Sequence, residues 1–438
     1  MLLGGARKVA RMDPLRRSPA AALLLALAVA WIQAKPDLPP AEVDARQKLA
    51  RTWGDFAKWC LEHGQKEPGL EAVKAAVAAG LPDKTAAPLK TGLEAAAAKP
   101  DDPALAAKKK ETGAAAAKLH AKLFELALAA KAADRADAAL SAELALDPES
   151  KGARRDLGAL VKAAVDHGWN EVAGRWLLRA RTLDPATWAA GRFRDAQVAL
   201  GKKDVIVLGG GEHALVAYVA LPTDWAPKTK GLPIVVAVEG AGCGFAGCCR
   251  LYRETRGSRD AIVVTPCSFS NTNGLEAAKY PWYDAAALEK YKAPGEARVE
   301  WDAAGLAAVL AELRKDWGGG EKLAITGFSG GGNLCYWWTL QHPDSLALAV
   351  GCCANFGGLG LPGAKPVTGG GPQVLLLTGE KDDFNLEVFG QKPGIVGQTD
   401  SIEESLKKLG FANVSRRIVP GAGHSNFATD VWKAFLPD

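Results

Sequence analysis

Two patterns of hydrophobic and polar positions divide the chain. From residue 40 to about residue 200 the sequence is rich in Ala, Leu, Lys and Glu, and its apolar residues recur at helical spacing. From Lys203 onward, short β-forming apolar runs alternate with helical stretches. The first pattern predicts an all-α domain at residues 40–200, and the second predicts an α/β domain at residues 203–438.

A helix-break-helix unit recurs within the all-α region. The stretches "FAKWCLEHGQKEPGLEAVKAAVAAGLPD" from Phe56 and "LVKAAVDHGWNEVAGRWLLRARTLDP" from Leu160 share a His-Gly break and a Pro stop, and a weaker third copy ends at Pro148. Such units cannot bury their apolar faces alone and stack on neighbours. We predict a tetratricopeptide-like array that holds a low-complexity, mobile connection near residues 84–112.

The second region contains strand candidates separated, in its later part, by helices. Alternation of this kind predicts a mostly parallel sheet covered by helices on both faces, with the first two strands as an antiparallel edge. The candidates are Asp204–Leu208, Ala214–Leu221, Pro233–Val238, Ala261–Thr265, Lys322–Thr326, Leu346–Val350, Gln373–Leu377 and Val414–Val419.

The N-terminus has the charge pattern of a secretory signal. Five cations precede an uncharged stretch from Ala20 to Ile32, which is shorter than the roughly 20 residues of a membrane-spanning helix. We expect a cleaved signal peptide at residues 1–34, a secreted or periplasmic protein, and no membrane span in the mature chain. The signal removes most of the formal charge of +5, and the nearly neutral remainder argues against a nucleic-acid partner.

The stretch "KLAITGFSGGGNLCYWW" places Ser329 between a strand and residues that can form a helix. Small neighbours at Gly327 and Gly331 allow the chain to close tightly around the serine and expose its hydroxyl, as in the nucleophile elbow G-x-S-x-G. The alternative is a flexible glycine turn whose serine caps the following helix.

A serine nucleophile needs a histidine base and an acid that orients it. "VLLLTGEKDDFN" places Asp382 on the loop after a strand, with Asp383 as its rival, and "IVPGAGHSNF" places His424 on a loop after the next strand. The order Ser329, Asp382, His424 is the chain order of α/β-hydrolases. The alternatives are solvated loop carboxylates and a histidine without a catalytic role.

The tetrahedral intermediate of acyl transfer requires backbone N–H donors for its oxyanion. Gly330, directly after the serine, supplies one candidate, and Ala241 in "PIVVAVEGAGCGF" supplies the other. Lipases and esterases carry His-Gly-Gly-Gly at the second position, where this chain has Glu239 followed by Gly-Ala-Gly. These residues could instead form an ordinary turn, with Glu239 paired to an Arg or Lys.

Together, these motifs resemble the α/β-hydrolase superfamily, and specifically secreted esterases related to polyhydroxybutyrate depolymerases and feruloyl esterases. The resemblance spans about Leu232 to Pro437 and rests on "GFSGGGN", "HPD" at residues 342–344, "TGEKDD" and "PGAGHSNF". It implies the α/β-hydrolase fold and hydrolysis of carboxylic esters through an acyl-enzyme, without a metal or organic cofactor. Peptidases of the superfamily share the same triad, so acyl transfer is better supported than ester specificity.

Two further groups of residues each have two interpretations. Trp282 and Tyr283, within "KYPWYDAAALEKYK", could line an acyl pocket or cover the core of their own loop. Among the eight cysteines, Cys248 or Cys249 could form a disulfide with Cys267, or all three could be free and buried. No C-x-x-C pair is present, so a structural zinc site is not expected.

The leading hypothesis is an exported serine esterase that acts on a small-molecule or polymeric ester. A second hypothesis is a serine peptidase of the same fold. A third is a binding protein, in which the helical repeats hold a protein partner and the hydrolase domain is inert. The combination of serine, acid, histidine and donor loop favours an enzyme over the third hypothesis.

Overall fold

The computed structural model describes residues 38–97, 102–148, 150–183, 193–210, 213–283, 285–385 and 394–437, so the expected signal peptide lies outside the described residues. The chain forms two compact units that divide between Val172 and Ala173. This division precedes the expected boundary at residues 200–203. The helix before that boundary belongs to the second unit, where Gly201 lies close to Ile206 and Leu221.

The first unit is helical, as the sequence predicts. Its helices break where the repeats place a His-Gly pair: His63 caps the helix that ends at Glu62, and Gly168, with a φ of +74°, caps the helix that ends at His167. The helices are α1 (Pro40–Glu62), α2 (Lys66–Ala78), α3 (Asp83–Ala95), α4 (Leu105–Ala129), α5 (Ala133–Leu146) and α6 (Lys151–His167), and α7 (Asn170–Leu183) crosses the division.

The segment near residues 84–112 differs from the expected connection. Helix α3 occupies most of its first half, and α4 begins at Leu105. Leu93 of α3 is fully buried in a core with Phe56 and Cys60 of α1. Ala, Leu, Lys and Glu have high helix propensities, so a low-complexity segment made of them forms helix once an apolar face can pack.

The second unit is built around an eight-stranded sheet with the order β1-β2-β4-β3-β5-β6-β7-β8. β2 pairs antiparallel with β1 and β4, and all other neighbours are parallel. This arrangement is the predicted α/β-hydrolase fold. The strands are β1 (Ile206–Gly210), β2 (His213–Ala220), β3 (Leu232–Val238), β4 (Ile262–Pro266), β5 (Gly319–Phe328), β6 (Leu348–Cys352), β7 (Gln373–Gly379) and β8 (Val414–Val419).

Helices cover both faces of this sheet. Successive residues of β3 point to opposite faces, and every residue from Ile234 to Val238 is buried. One face forms a core with Tyr252 and Trp432, which belong to two of these helices. The helices of this unit are α8 (Arg194–Lys203), α9 (Phe245–Thr255), α10 (Ala285–Lys290), α11 (Glu296–Asp316), α12 (Gly332–Gln341), α13 (Ile395–Lys408) and α14 (Ala428–Phe435).

All eight cysteines lie within the described residues, and all are free thiols. The disulfide alternative is therefore not what the structure shows. Cys248 and Cys249 of α9 pack in the core that also contains Trp432 of α14, whereas Cys267 packs in a separate aromatic cluster with Phe269 and Tyr280. Within the described ranges, none of the helices is long and apolar enough to cross a bilayer.

Candidate active site

Ser329 occupies a strained turn between β5 and α12. Its φ is +49°, in the left-handed region that costs a non-glycine residue roughly 1–2 kcal/mol. A side chain at Gly327 would place its Cβ 2.6 Å from the carbonyl oxygen of Gly331, so the turn can close only with glycine there. Such strain concentrates at functional sites, and here it exposes one hydroxyl at the carboxyl edge of the sheet.

The same turn packs against the end of β3. A Cβ at Gly331 would lie 2.3 Å from the carbonyl oxygen of Val238, and a Cβ at Gly240 would lie 3.0 Å from Cβ of Ser329. Backbone contact at these glycines therefore brings the loop after β3, which contains Ala241, next to the serine.

His424 and Asp382 are joined by a hydrogen bond. Nδ1 of the histidine lies 2.8 Å from Oδ2 of the aspartate, whose other oxygen accepts the backbone N–H of Phe384 at 2.8 Å. The Asp382 side chain is fully buried, and the imidazole is 22% exposed. A buried carboxylate with both oxygens bonded fixes the histidine with Nδ1–H toward the acid and Nε2 free to accept a proton.

Two loops at the carboxyl edge are fastened together to make this pair. The backbone N–H of Lys381 donates to the carbonyl of Ala422 at 2.8 Å. A Cβ at Gly379 would lie 2.2 Å from the carbonyl oxygen of Gly423, the residue before the histidine. The acid loop and the histidine loop thus approach within a distance that only glycine permits.

Two aromatic rings pack against the imidazole. The ring centroids of Phe328 and Phe384 lie 4.8 Å and 4.7 Å from that of His424. Phe328 directly precedes Ser329, so His424 packs against the side chain of the residue before the elbow serine. Asp383, the rival acid, is exposed, and no other described residue pairs with its carboxylate.

The thiol of Cys353 completes a group that has the composition of a metal site. Its Sγ, an Asp382 oxygen and a His424 nitrogen lie within 4.8 Å of one another. Burial raises the pKa of the Cys353 thiol to about 12, whereas a metal ligand must be a thiolate. The histidine nitrogen facing the acid is also engaged in its hydrogen bond. These residues therefore fit an acid-base pair better than a metal ion.

A small cleft of about 90 Å³ opens beside the serine. Both predicted oxyanion donors, Ala241 and Gly330, line it. The carbonyl of Ser329 accepts the backbone N–H of Asn355 at 2.8 Å, which fixes the peptide plane that carries the Gly330 N–H. The complete lining is Ala241, Asn271, Thr272, Asn273, Ser329, Gly330, Asn333 and Asn355, which combines neutral polar side chains with small residues.

Trp282 and Tyr283 lie in the aromatic cluster and not in the cleft lining. The Trp282 indole donates to the Tyr218 hydroxyl at 3.2 Å. The Tyr283 hydroxyl accepts the N–H of Val216 at 3.0 Å and donates to the carbonyl of Cys267 at 3.1 Å. In the described structure, both side chains tie their loop to the sheet.

Glu239 stands where lipases carry histidine. Burial raises the pKa of its carboxyl group, and within the described part of the chain no Arg or Lys pairs with it. The ion pair of the alternative interpretation is therefore not formed there.

Sequence reasoning missed the loop after β4, "CSFSNTN" at residues 267–273, which contributes Asn271, Thr272 and Asn273 to the cleft. Its position after a predicted parallel strand was the available signal.

No family model and no curated protein matches this chain. Among solved structures, poly(aspartic acid) hydrolase-1 from Sphingomonas sp. KT-1 is similar at 19% identity, over 53% of this chain and 98% of that chain, with a TM-score of 0.40. Esterase Est2 from Thermogutta terrifontis is similar at 15% identity, over 53% and 92%, with a TM-score of 0.35. A putative dipeptidyl aminopeptidase IV from Bacteroides ovatus is similar at 12% identity, over 53% and 34%, with a TM-score of 0.38. At this level the fold assignment rests on strand order, not on these neighbours.

Proposed function

We propose that this protein is a serine hydrolase that cleaves carboxylic esters through Ser329, His424 and Asp382. The observation that carries the proposal is the 2.8 Å bond between His424 and a fully buried Asp382, and the left-handed backbone of Ser329 supports it. A serine that merely caps a helix has no need for this backbone, and a solvated aspartate would not be buried against a histidine.

The reaction would proceed in two acyl transfers. His424 accepts the proton from the Ser329 hydroxyl as its oxygen attacks the ester carbonyl, and then gives that proton to the departing alcohol. A water molecule repeats the sequence on the acyl-enzyme, which releases the acid and restores the serine. Asp382 accepts the Nδ1–H of His424 and stabilises the imidazolium that forms in each step.

The negative charge of each tetrahedral intermediate would fall between the N–H groups of Gly330 and Ala241. Both residues line the cleft next to the serine. Donors fixed before the reaction stabilise the charge without reorganisation, and each is worth roughly 10²–10³ in turnover.

Hydrolysis of p-nitrophenyl esters of increasing acyl length, beside aminoacyl p-nitroanilides, tests the proposal. The small cleft with its asparagine lining predicts faster turnover of acetyl and butyryl esters than of decanoyl esters. The Ser329→Ala variant controls for contaminating esterases. Faster cleavage of the anilides would reassign the protein as a peptidase, and turnover that survives Ser329→Ala would overturn the proposed nucleophile.

We also propose export, from the charge pattern of residues 1–34. Expression of the full chain in a bacterial host, followed by fractionation and N-terminal sequencing, tests this directly. A mature protein that begins after Ala34 in the periplasm or medium is expected. An uncleaved cytosolic chain would contradict it.

A further inference from the structure

The loop after β4, residues 267–273, is fixed by two buried charged side chains of α11. The two oxygens of Asp302 accept the backbone N–H groups of Phe269 and Ser270 at 2.8 Å and 2.7 Å. Four residues earlier on the helix, Arg298 donates to the carbonyls of Phe269 at 3.2 Å and Asn273 at 3.4 Å. This much polar anchoring makes the loop a rigid support at the edge of the cleft.

Asn271 projects from this support onto the loop after β3. Its Nδ2 donates to the carbonyl of Gly240 at 2.9 Å and to that of Glu239 at 3.2 Å. The hydroxyl of Tyr280 donates to its Oδ1 at 2.8 Å. Because the amide nitrogen faces two acceptors and the amide oxygen faces a donor, the orientation of this 1% exposed side chain is fully determined.

The planar peptide transmits this orientation to the cleft. In a trans peptide the carbonyl of Gly240 and the N–H of Ala241 point in opposite directions. Asn271 holds that carbonyl, together with the N–H of Cys243 at 3.0 Å. The N–H of Ala241 has no acceptor among the residues that the structure describes. It is an oriented donor without a partner, in a residue that lines the cleft beside Ser329.

We infer that Asn271 is a positioning residue that aims the Ala241 N–H at the oxyanion, with Tyr280 orienting the Asn271 amide. The inference rests on the proposed function. Both oxyanion donors are then oriented in the same way, because the carbonyl of each donor's peptide unit accepts a hydrogen bond. The Ser329 carbonyl accepts from the N–H of Asn355, and the Gly240 carbonyl accepts from the Asn271 amide.

Asn271→Ala and Asn271→Asp test the inference. Alanine removes the two hydrogen bonds to the loop after β3. Aspartate keeps the side-chain volume but places a carboxylate oxygen opposite two carbonyl oxygens. We expect kcat to fall about 10- to 100-fold with little change in KM, since loss of a whole donor costs roughly 10²–10³. Affinity for a trifluoromethyl ketone, which forms a tetrahedral adduct with the serine, should fall by the same factor.

Ser268→Ala is the matched control. It changes a buried side chain in the same loop whose hydroxyl makes no hydrogen bond among the described residues, so turnover should stay within about twofold of the parent. Tyr280→Phe is a second variant in case the Asn271 variants fold poorly, and a loss of about threefold to tenfold in kcat is expected because the amide loses its orienting donor.

Labelling of Ser329 by a fluorophosphonate distinguishes a failure of the proposed function from a failure of the role inferred for Asn271. If the parent protein is not labelled at Ser329, the proposed function fails. If the parent is labelled but the Asn271 variants are labelled as fast and retain kcat, the inference fails while the proposed function stands. A raised KM with unchanged kcat would also overturn it, because that result means ordinary substrate contact. A lowered melting temperature with unchanged kcat would reduce Asn271 to a structural residue.

Discussion

Asp382→Asn should nearly abolish turnover while the fold is kept. In the parent, one carboxylate oxygen accepts from His424 and the other accepts the backbone N–H of Phe384. An asparagine has one oxygen for these two donors. If the oxygen stays with Phe384, the amide N–H₂ faces Nδ1 and forces the proton onto Nε2, where the histidine can no longer act as base. If the amide flips, two N–H donors oppose each other at Phe384.

The expected loss follows from that choice. Wrong tautomer and lost stabilisation of the imidazolium together cost about 10⁴ in kcat in triad enzymes, which corresponds to about 5 kcal/mol of transition-state stabilisation. Asp383→Asn is the matched control, because this neighbour is exposed and has no described partner. It should retain activity within about twofold.

Steady-state hydrolysis of p-nitrophenyl acetate measures both variants, and thermal unfolding confirms that each is folded. Retention of more than a tenth of the parent kcat by Asp382→Asn would refute the assigned role. A large loss in Asp383→Asn together with a small one in Asp382→Asn would move the acid by one residue.

Three further predictions concern backbone and burial. Ser329→Gly and Ser329→Ala should both lose at least about 10⁴ in kcat. In urea unfolding, the glycine variant should be about 1 kcal/mol more stable than the alanine variant, because glycine relieves the strain of the left-handed backbone. Gly379→Ala should lower the free energy of unfolding by about 1–3 kcal/mol, because its Cβ would lie 2.2 Å from a carbonyl oxygen. Gly247→Ala, at an exposed position of α9 where a Cβ would meet nothing within 4 Å, should instead raise it by about 0.5–1 kcal/mol. Burial raises the pKa of Asp302 to about 7, above the roughly 4 of an unfolded chain. The folded state therefore binds more protons in this range, and the free energy of unfolding should fall as the pH rises from about 4 to about 7. Asp302→Asn should flatten that slope.

The sequence was sufficient to predict the fold class because alternating periodicity and parallel pairing are linked physically. Strand positions were close, although β6 runs from Leu348 to Cys352 and not from Leu346 to Val350. The position of β4 between β2 and β3 could not be predicted from the sequence, because the hydrophobic periodicity of a strand does not depend on which strands pair with it. Nor could composition separate a mobile connection from the alanine-rich helices near residues 84–112.

Parts of the site were readable because they depend on local backbone. The glycines around Ser329 predict a tight turn, and Asp382 and His424 each follow a predicted strand. Asn271 was not found, because its partner carbonyl at Gly240 is 31 residues away in sequence and the contact requires the spatial order of the strands. Likewise, the disulfide alternative depended on side-chain direction: Cys248 and Cys267 belong to different cores.

The buried thiols allow local opening of the protein to be measured by their reaction with a thiol reagent. A thiol reagent reacts only with an exposed thiolate, and burial both hides these groups and raises their pKa values, to about 11 at Cys60 and about 12 at Cys335. Cys60 lies in the core of the helical unit, and Cys335 lies under the sheet. Labelling followed peptide by peptide would therefore give the opening free energies of the two units separately, in the unmodified chain and without any attached probe.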